Sequence, residues 1–353
     1  MNTFVAIRIA QFQTSPHSPS PPSPETFSSA SSVHSGLHQP SKLTLASFTL
    51  LSVIGEGGYS LVYLAQEKSS GRSVALKQIA KAELDSGKLV DRVYTEKDIL
   101  SKISHPLVVG YIGAFQDPKH LYIALEFVQG GDLYSWLMKR VRLETAETRF
   151  YAAEIASVLF YLHQQGLIYR DLKAENILIC ANGHVKLADF GLAKRLLPGE
   201  RTFSLCGTPH CMAPEVITKS GHGCEVDWWS FGILLHEMIT GHSPFDAASS
   251  YDVYSNIITR QYRPPADSDP VISTLLVKLL EKDAGRRLKG EEVLRHPFFK
   301  NIDWGNLSSL RPPYIPQVKG PLDACHFDHY DSNWQAEVPS QASTIDQSQF
   351  ADF

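Results

Sequence analysis

The chain runs to 353 residues, 43% hydrophobic and 20% charged, with a formal net charge of −4. That length gives one large domain or two medium ones a proper core, and the slight negative charge argues against a whole-protein basic field for nucleic acid or anionic membrane. Five cysteines (Cys180, Cys206, Cys211, Cys224 and Cys325) are odd in number and lack metal-ligand spacing, which points away from a disulfide scaffold or zinc site and toward a reducing compartment, the cytoplasm with the nucleus as a second location.

The first residues, "MNTFVAIRIAQ", carry one Arg and a brief apolar run, without a cleavage-like site or a glycine at position two. No signal peptide or myristoyl anchor is expected from them. Residues 11–41 are rich in Ser and Pro, with Glu25 their only acidic or basic residue apart from His. Such a stretch buries too little apolar surface to offset chain entropy, so residues 1–45 are expected to form a disordered arm. Ser15, Ser18, Ser20 and Ser23 each precede a proline, a pairing that composition alone explains.

At Phe48 the texture changes. "FTLLSVIGEGGYSLVYLAQE" and "SVALKQIA" are β-branched and aromatic runs punctuated by glycine, hence antiparallel strands. "KLVDRVYTEKDILSKI" sets Val90, Val93, Ile99 and Ile103 among charges and predicts a helix, after which "LVVGYIGAFQD" and "HLYIALEFV" return to strand. From Glu144, Ile155, Val158, Leu159 and Leu162 fall at helical spacing up to a stop at Gly166, and further helices are predicted over 226–240, 251–260, 270–281 and 290–296. The most apolar run, "ILLHEMIT", is too short to span a bilayer and reads as a buried core helix. A strand-rich small unit thus precedes a helical large one, an α+β arrangement whose junction suits a nucleotide-sized ligand.

Four constellations carry chemistry. In "GEGGYSLV", Gly55 and Gly57 lie between two strands and would let backbone amides approach phosphate oxygens; the missing helix after them speaks against a dinucleotide fold. Ser60 stands where a third glycine is usual, and a left-handed conformation there would cost about 1–2 kcal/mol. "VALK" ends an apolar strand on Lys77, and a buried ammonium needs a counter-charge, for which Glu96 on the next helix is the candidate. In "YRDLKAEN", Asp171 could accept a hydroxyl proton, Lys173 neutralise a migrating phosphoryl group and Asn176 hold a metal, with Asp189 of "ADFGLAK" as a second oxygen ligand. Finally, "MAPE" brings Glu215, which with Arg287 is expected to form a buried ion pair of architectural role, near Asp227.

In order and spacing, the glycine-rich loop, "VALK", "YRDLKAEN", "DFG" and "APE" resemble the eukaryotic protein kinases. Tyr169, "LCGTP", "VDWWSFG" and "HPFFKNIDW" resemble the basophilic AGC group, and the "FDHY" and final "FADF" segments its cAMP-dependent catalytic subunits most. Ala174 and His210-Cys211 depart from the group's usual proline and Glu-Tyr. The resemblance implies a bilobal protein-kinase fold at 48–299, an antiparallel-sheet lobe (48–126) and a helical lobe (127–299), then an AGC-type tail (300–353).

It also implies ATP and Mg2+ as cofactors and transfer of the γ-phosphate to Ser/Thr of Arg-rich proteins; the alternative is a pseudokinase or scaffold. Ile54, Gly55, Glu56, Gly57, Gly58, Tyr59 and Ser60 would cover the nucleotide. Val62, Ala75 and Leu178 would sandwich adenine, with Leu125 as gatekeeper, Glu126 and Val128 at the hinge, Asp132 at the ribose and Phe327 against the base. Lys77 would grip phosphates, Asn176 and Asp189 hold metal, and Asp171 orient the acceptor. Ser204 would be the activation-loop phosphosite, read by Arg92, Arg170 and Lys194. Asp132, Glu175 and Glu237 would read substrate arginines, and Leu205, Pro209 and Met212 would form an apolar pocket. Phe350 and Phe353 would dock on the small lobe. Expected partners are basic protein substrates, a regulatory subunit and an upstream activating kinase, with neither nucleic acid nor membrane.

Overall fold

Alternation along one strand explains most of the small lobe. In β3 (Ser73–Ala80), Val74 and Leu76 face one side of the sheet, while Ala75, Lys77 and Ile79 face the other. The structure, a computed structural model, describes residues 43–84, 87–328 and 347–353. Its first elements are β1 (Phe48–Gly57), β2 (Ser60–Glu67), β3, helix α1 (Gly87–Lys102), β4 (Tyr111–Gln116) and β5 (His120–Glu126). The strands form one antiparallel sheet in the order β1-β2-β3-β5-β4. One face closes over Phe48, Leu76, Phe115 and Tyr122, joined by Leu43 and Leu45. The packed lobe therefore starts a few residues before the expected end of the arm; the rest of the arm lies outside the described residues.

On the other face, α1 buries Val90, Val93, Glu96, Ile99 and Leu100. Val93, Glu96 and Ile99 are three apart, so the carboxylate sits within the apolar stripe and not on the solvent side.

The large lobe follows: α2 (Leu133–Arg140), α3 (Thr145–Gln164), β6 (Leu167–Ile168), β7 (Ile177–Ile179), β8 (Val185–Leu187), β9 (Lys194–Arg195), α4 (Pro214–Ile217), α5 (Glu225–Thr240), α6 (Ser250–Thr259), α7 (Pro270–Leu279) and α8 (Glu291–Leu294). The helix expected over 290–296 is shorter because Pro297 opens a separate 3-10 turn. Around α5 the core is apolar on all sides, with Trp228, Trp229 and Phe231 fully buried. Arg287 lies inside it, 1% exposed. Its guanidinium meets Glu215 in two bonds of 2.6 and 2.9 Å, as expected, and stacks 5.1 Å from Trp229. Among the described residues no helix is long and apolar enough to cross a membrane.

The tail returns across both lobes. Gly130 and Gly131 follow β5, and a Cβ on either would come within 2.6 Å of Pro316 or His326. Only a backbone without side chains lets the tail pass this close. Farther on, Phe350 closes the small-lobe cluster of Ile79, Leu84, Val93 and Leu121. Tyr330 of "FDHY" lies outside the described residues.

Candidate active site

The cleft between the lobes gathers side chains from five places in the chain. From β3, Lys77 Nζ lies 2.7 Å from Glu96 Oε1 and 3.5 Å from Asp189 Oδ1. Burial alone would push the Lys77 ammonium down, but Asp189 and Glu96 outweigh it and hold it above its ordinary value. In turn Lys77 holds the Asp189 carboxyl below the usual carboxylate range.

The segment joining β6 to β7 carries the other catalytic candidates. Its backbone is pinned from below by Asp227, whose carboxylate accepts from Tyr169 N (2.9 Å) and Arg170 N (2.7 Å) and lies 2.7 Å from His163 Nε2. This anchorage holds Arg170 at a φ of 67°, a left-handed conformation that costs a non-glycine residue about 1 kcal/mol or more. Asp189 has a φ of 50° and shares the strain. Such outliers survive where the surroundings over-determine them.

Asp171, Lys173 and Thr208 then form a tight triangle. Lys173 Nζ is 3.1 Å from Asp171 Oδ2 and donates to Thr208 Oγ1 at 3.0 Å; Thr208 Oγ1 donates to Asp171 Oδ1 at 2.9 Å. Thr208 stands in "LCGTP", and only the fold brings it to Asp171 and Lys173. Asn176 Nδ2 donates to the backbone and carboxylate oxygens of Asp171, which leaves its carbonyl oxygen for a hard cation. Both Lys77 and Gly191 N approach Asp189 through Oδ1, leaving Oδ2 without a hydrogen-bond donor among the described residues. An amide oxygen and a carboxylate oxygen facing one cleft suit Mg2+, which takes oxygen ligands and retains waters.

Of the residues expected to cover the nucleotide, Ile54, Gly55, Glu56 and Gly57 end β1, Gly58 and Tyr59 make its turn, and Ser60 opens β2. Ser60 has ordinary strand geometry, so the left-handed cost anticipated for it does not arise. At the turn a Cβ on Gly57 would lie 2.9 Å from Ser60 Oγ, so a larger residue there would have to turn that hydroxyl aside. Tyr59 tucks inward, half-buried near Lys77, Glu96 and Asp189, and burial raises its phenol pKa. Ile54, Val62 and Ala75 pack with Phe127 and Phe327 into one apolar cluster at the cleft mouth, where the two phenylalanine rings are 5.5 Å apart. Leu322 and Ala324, which the sequence reading passed over, complete it. Leu178 sits on β7 bridged to Asp132, and Leu125 packs between the α1 side of the sheet and the large-lobe core. Val128 is buried in the hinge that follows Glu126. Asp132 caps α2, its two oxygens accepting from Ser135 N (2.7 Å) and Oγ (2.8 Å).

The substrate-side residues are less uniform. Glu237, on α5, has its carboxyl pushed up to about 8 by burial and by nearby Glu175 and Asp246. His210 Nε2 lies 3.9 Å from it, beyond hydrogen-bond reach. Leu205 is exposed and Pro209 half-buried, but Met212 is only 7% exposed and packs in the core cluster with Val216 and Trp229. Of the three residues expected to form an apolar pocket, Met212 thus lies deepest, because the chain after Pro209 turns inward.

Ser204 is exposed, its Oγ 3.3 Å from Thr202 Oγ1, which accepts from Lys194 Nζ at 3.2 Å. Arg170 Nε donates to Leu192 O, while Arg170 Nη1 is buried without a hydrogen-bond partner among the described residues. Burial, with some help from Arg92, lowers the Arg170 pKa. At the far side of the small lobe, Lys81 was also missed. It is 3% exposed, bonds Gln116 and Gln347 at 2.7 Å each, and lies 4.8 Å over the Phe350 ring. Phe353 meets Tyr94 edge-on at 5.5 Å.

A two-lobed cleft with a lysine–glutamate pair on the sheet side and an aspartate–lysine–asparagine group below it defines a phosphotransferase of the kinase class. The chain belongs to the protein kinase family, matching the protein kinase domain over residues 48–299. It is 40% identical over 309 residues to a cAMP-dependent protein kinase catalytic subunit of Dictyostelium discoideum, covering 86% of this chain and 47% of that one. With the Arthrobotrys oligospora counterpart it shares 40% over 298 residues (82% and 57%). With the Homo sapiens cAMP-dependent protein kinase catalytic subunit PRKX it shares 37% over 326 residues (90% and 88%). The chain spans about half the length of the first two relatives.

Proposed function

We propose that this chain is an ATP-dependent serine/threonine kinase acting on proteins with arginines before the acceptor. One observation carries the reading: Asp171, Lys173 and Thr208 are bonded together beneath an intact Lys77–Glu96 pair and an inward-facing Asp189. Phosphoryl transfer asks a protein mainly to position groups and neutralise charge, and these residues do both. Bound ATP would supply the γ-phosphate, and Mg2+ at Asn176 and Asp189 would neutralise it. Asp171 orients the acceptor hydroxyl and takes its proton; Lys173 faces the developing charge; Lys77, fixed by Glu96, receives the inner phosphates.

The test is label transfer from radioactive ATP to an Arg-Arg-x-Ser-Leu peptide with magnesium. Asp171→Asn is expected to leave ATP affinity nearly intact and cost at least about a hundredfold in turnover. Normal turnover in that variant would overturn the assignment, and ATP binding without transfer by the wild-type protein would give the pseudokinase.

Substrate preference rests on Asp132, Glu175 and Glu237 as arginine readers, with Leu205, Pro209 and Met212 forming the apolar pocket for the residue after the acceptor. Ser204 is the proposed activating phosphosite. A phosphate carrying about −1.5 to −2 charge would meet Arg170, whose Nη1 lacks a partner among the described residues, together with Arg92 and Lys194. Ser204→Ala protein with unchanged activity would refute this. A cyclic-nucleotide-responsive regulatory subunit is the proposed partner, on the strength of the relatives' names, and pull-down with and without cAMP tests it.

A further inference from the structure

Glu237 is a mostly covered carboxyl that the fold leaves without a hydrogen bond. It sits in the last turn of α5 with 17% of its side chain exposed, and no donor reaches its carboxyl oxygens among the described residues. Its only basic neighbour within ion-pair reach among those residues is His210, whose Nε2 lies 3.9 Å from Oε1. Two exposed acids, Glu175 and Asp246, add their charge at the same place and, after burial, help push the Glu237 carboxyl up to about 8. The buried Cys211 thiol, next to His210, also feels Glu237 and Glu175 but bonds neither. Lys173, the cation felt at Cys211, is already held by Asp171 at 3.1 Å and Thr208 at 3.0 Å. His236, beside Glu237 in the helix, turns to Tyr262 instead, its Nδ1 3.0 Å from that hydroxyl. Three carboxyl groups therefore share one imidazole.

We infer that His210 is a specificity-determining residue: its imidazolium competes with a substrate arginine for Glu237, so the protein selects an arginine two residues before the acceptor more strongly once His210 has lost its proton. The inference rests on the proposed role of Glu237 as an arginine reader and deepens it, by giving that carboxyl a rival cation from the chain itself. The pair stands about 1 Å short of a charge-assisted hydrogen bond, a gap that rotation of the His210 side chain closes. With 34% of that side chain exposed, the ring has room to turn and exchanges its proton with water. A histidine ordinarily changes charge between about pH 5 and pH 8. At the acid end the imidazolium occupies Glu237, and an incoming guanidinium must displace it against like charge. At the alkaline end His210 is neutral and releases Glu237, which a guanidinium then grips through two hydrogen bonds, a fork that imidazole cannot match. The Glu237 proton is lost in the same direction of pH, so variants at His210 carry the test.

The experiment measures kcat/KM for Arg-Arg-Ala-Ser-Leu and Arg-Ala-Ala-Ser-Leu, with radioactive ATP and magnesium, in wild type, His210→Gln and His210→Lys. The ratio of the two values isolates selection of the second arginine and cancels any loss of folded protein. From about pH 6 to about pH 8.5 the wild-type ratio should rise about fivefold or more, the size of one charge contact near a protein surface. At the acid end His210→Gln should lift the ratio about threefold or more above wild type, and at the alkaline end the two should converge. His210→Lys should keep the ratio low throughout. A His210→Gln profile that overlays wild type would assign the pH dependence to Glu237 alone and overturn the inference. So would a His210→Lys ratio equal to wild type at the alkaline end, or a wild-type ratio that does not change with pH. A ratio of one in all three proteins at every pH would instead overturn the arginine-reader assignment, and no label transfer to either peptide by wild type would overturn the kinase reading, so these failures are distinguishable.

Discussion

Phe350→Ala probes the link between the tail and catalysis most directly. Phe350 is 2% exposed. It lies among Ile79, Leu84, Val90, Val93, Leu121 and Ile123 and beneath the Lys81 ammonium at 4.8 Å. Truncating a buried phenylalanine costs about 3–5 kcal/mol. The lost cation–π contact falls within that range, at about 1 kcal/mol. A domain has roughly 5–15 kcal/mol of stability in total, and each kcal/mol moves the midpoint by about 2–4 °C at this size. A fall of about 10 °C in melting temperature is expected by scanning calorimetry. Activity should fall with it well below the new midpoint. Tyr94 donates to Gln349 O at 3.1 Å and Lys97 to Asp352 O at 2.9 Å, and both flank Glu96 on α1. Loosening the tail therefore frees the helix that presents Glu96 to Lys77, and KM for ATP should rise. A melting point within about 2 °C of wild type, with ATP kinetics unchanged, would refute the reasoning.

Three further outcomes are expected. Thr208→Ala removes a hydroxyl bonded to two charged groups, worth about 1.5–3 kcal/mol, and should lower turnover about tenfold or more and the melting temperature by a few degrees; Thr208→Ser should recover most of both. Arg287→Ala leaves Glu215 buried and unpaired, which should cost about 3–5 kcal/mol in denaturant unfolding, whereas Arg287→Met with Glu215→Leu should cost less than the single change. Glu237 holds its proton more tightly in the folded protein, its pKa pushed up to about 8. Its contribution to stability is thus full below the ordinary carboxylate range and drains away as pH rises toward 8, at roughly 1 kcal/mol per pH unit. Glu237→Gln should flatten the decline in melting temperature between pH 5 and pH 8; an unchanged slope would count against the burial of this carboxyl.

Much of the site was legible because its chemistry is carried by short motifs and by simple periodicity. Lys77 could be placed on the cleft side of its strand by alternation, and Glu96 on the buried stripe of its helix by its spacing of three from Val93 and Ile99. What escaped was set by contacts distant in sequence. Lys81 looks like any surface lysine until the tail places Phe350 and Gln347 beside it. Gly130 and Gly131 look like a loop until Pro316 and His326 pass over them. Thr208 acquires a role only when its loop folds back onto Asp171, 37 residues away. Met212 and Ser60 were shaped by local geometry instead. The turn after Pro209 buries most of the Met212 side chain, and Ser60 opens β2 without the left-handed backbone anticipated for it.

The closure of the small-lobe cluster by Phe350 bears on how the molecule comes to be made. Gln116 Nε2 donates to the carbonyl of a residue 234 positions downstream, so the sheet of residues 48–126 emerges from the ribosome with the part of its α1-side cluster that Phe350 closes still uncovered. Contacts of such long range form late, and until they do, Ile79, Leu121 and Ile123 present an oily patch that invites chaperones or self-association. The sheet and α1 expressed as a fragment should accordingly be prone to aggregate, and adding a synthetic peptide of residues 347–353 should render it more soluble.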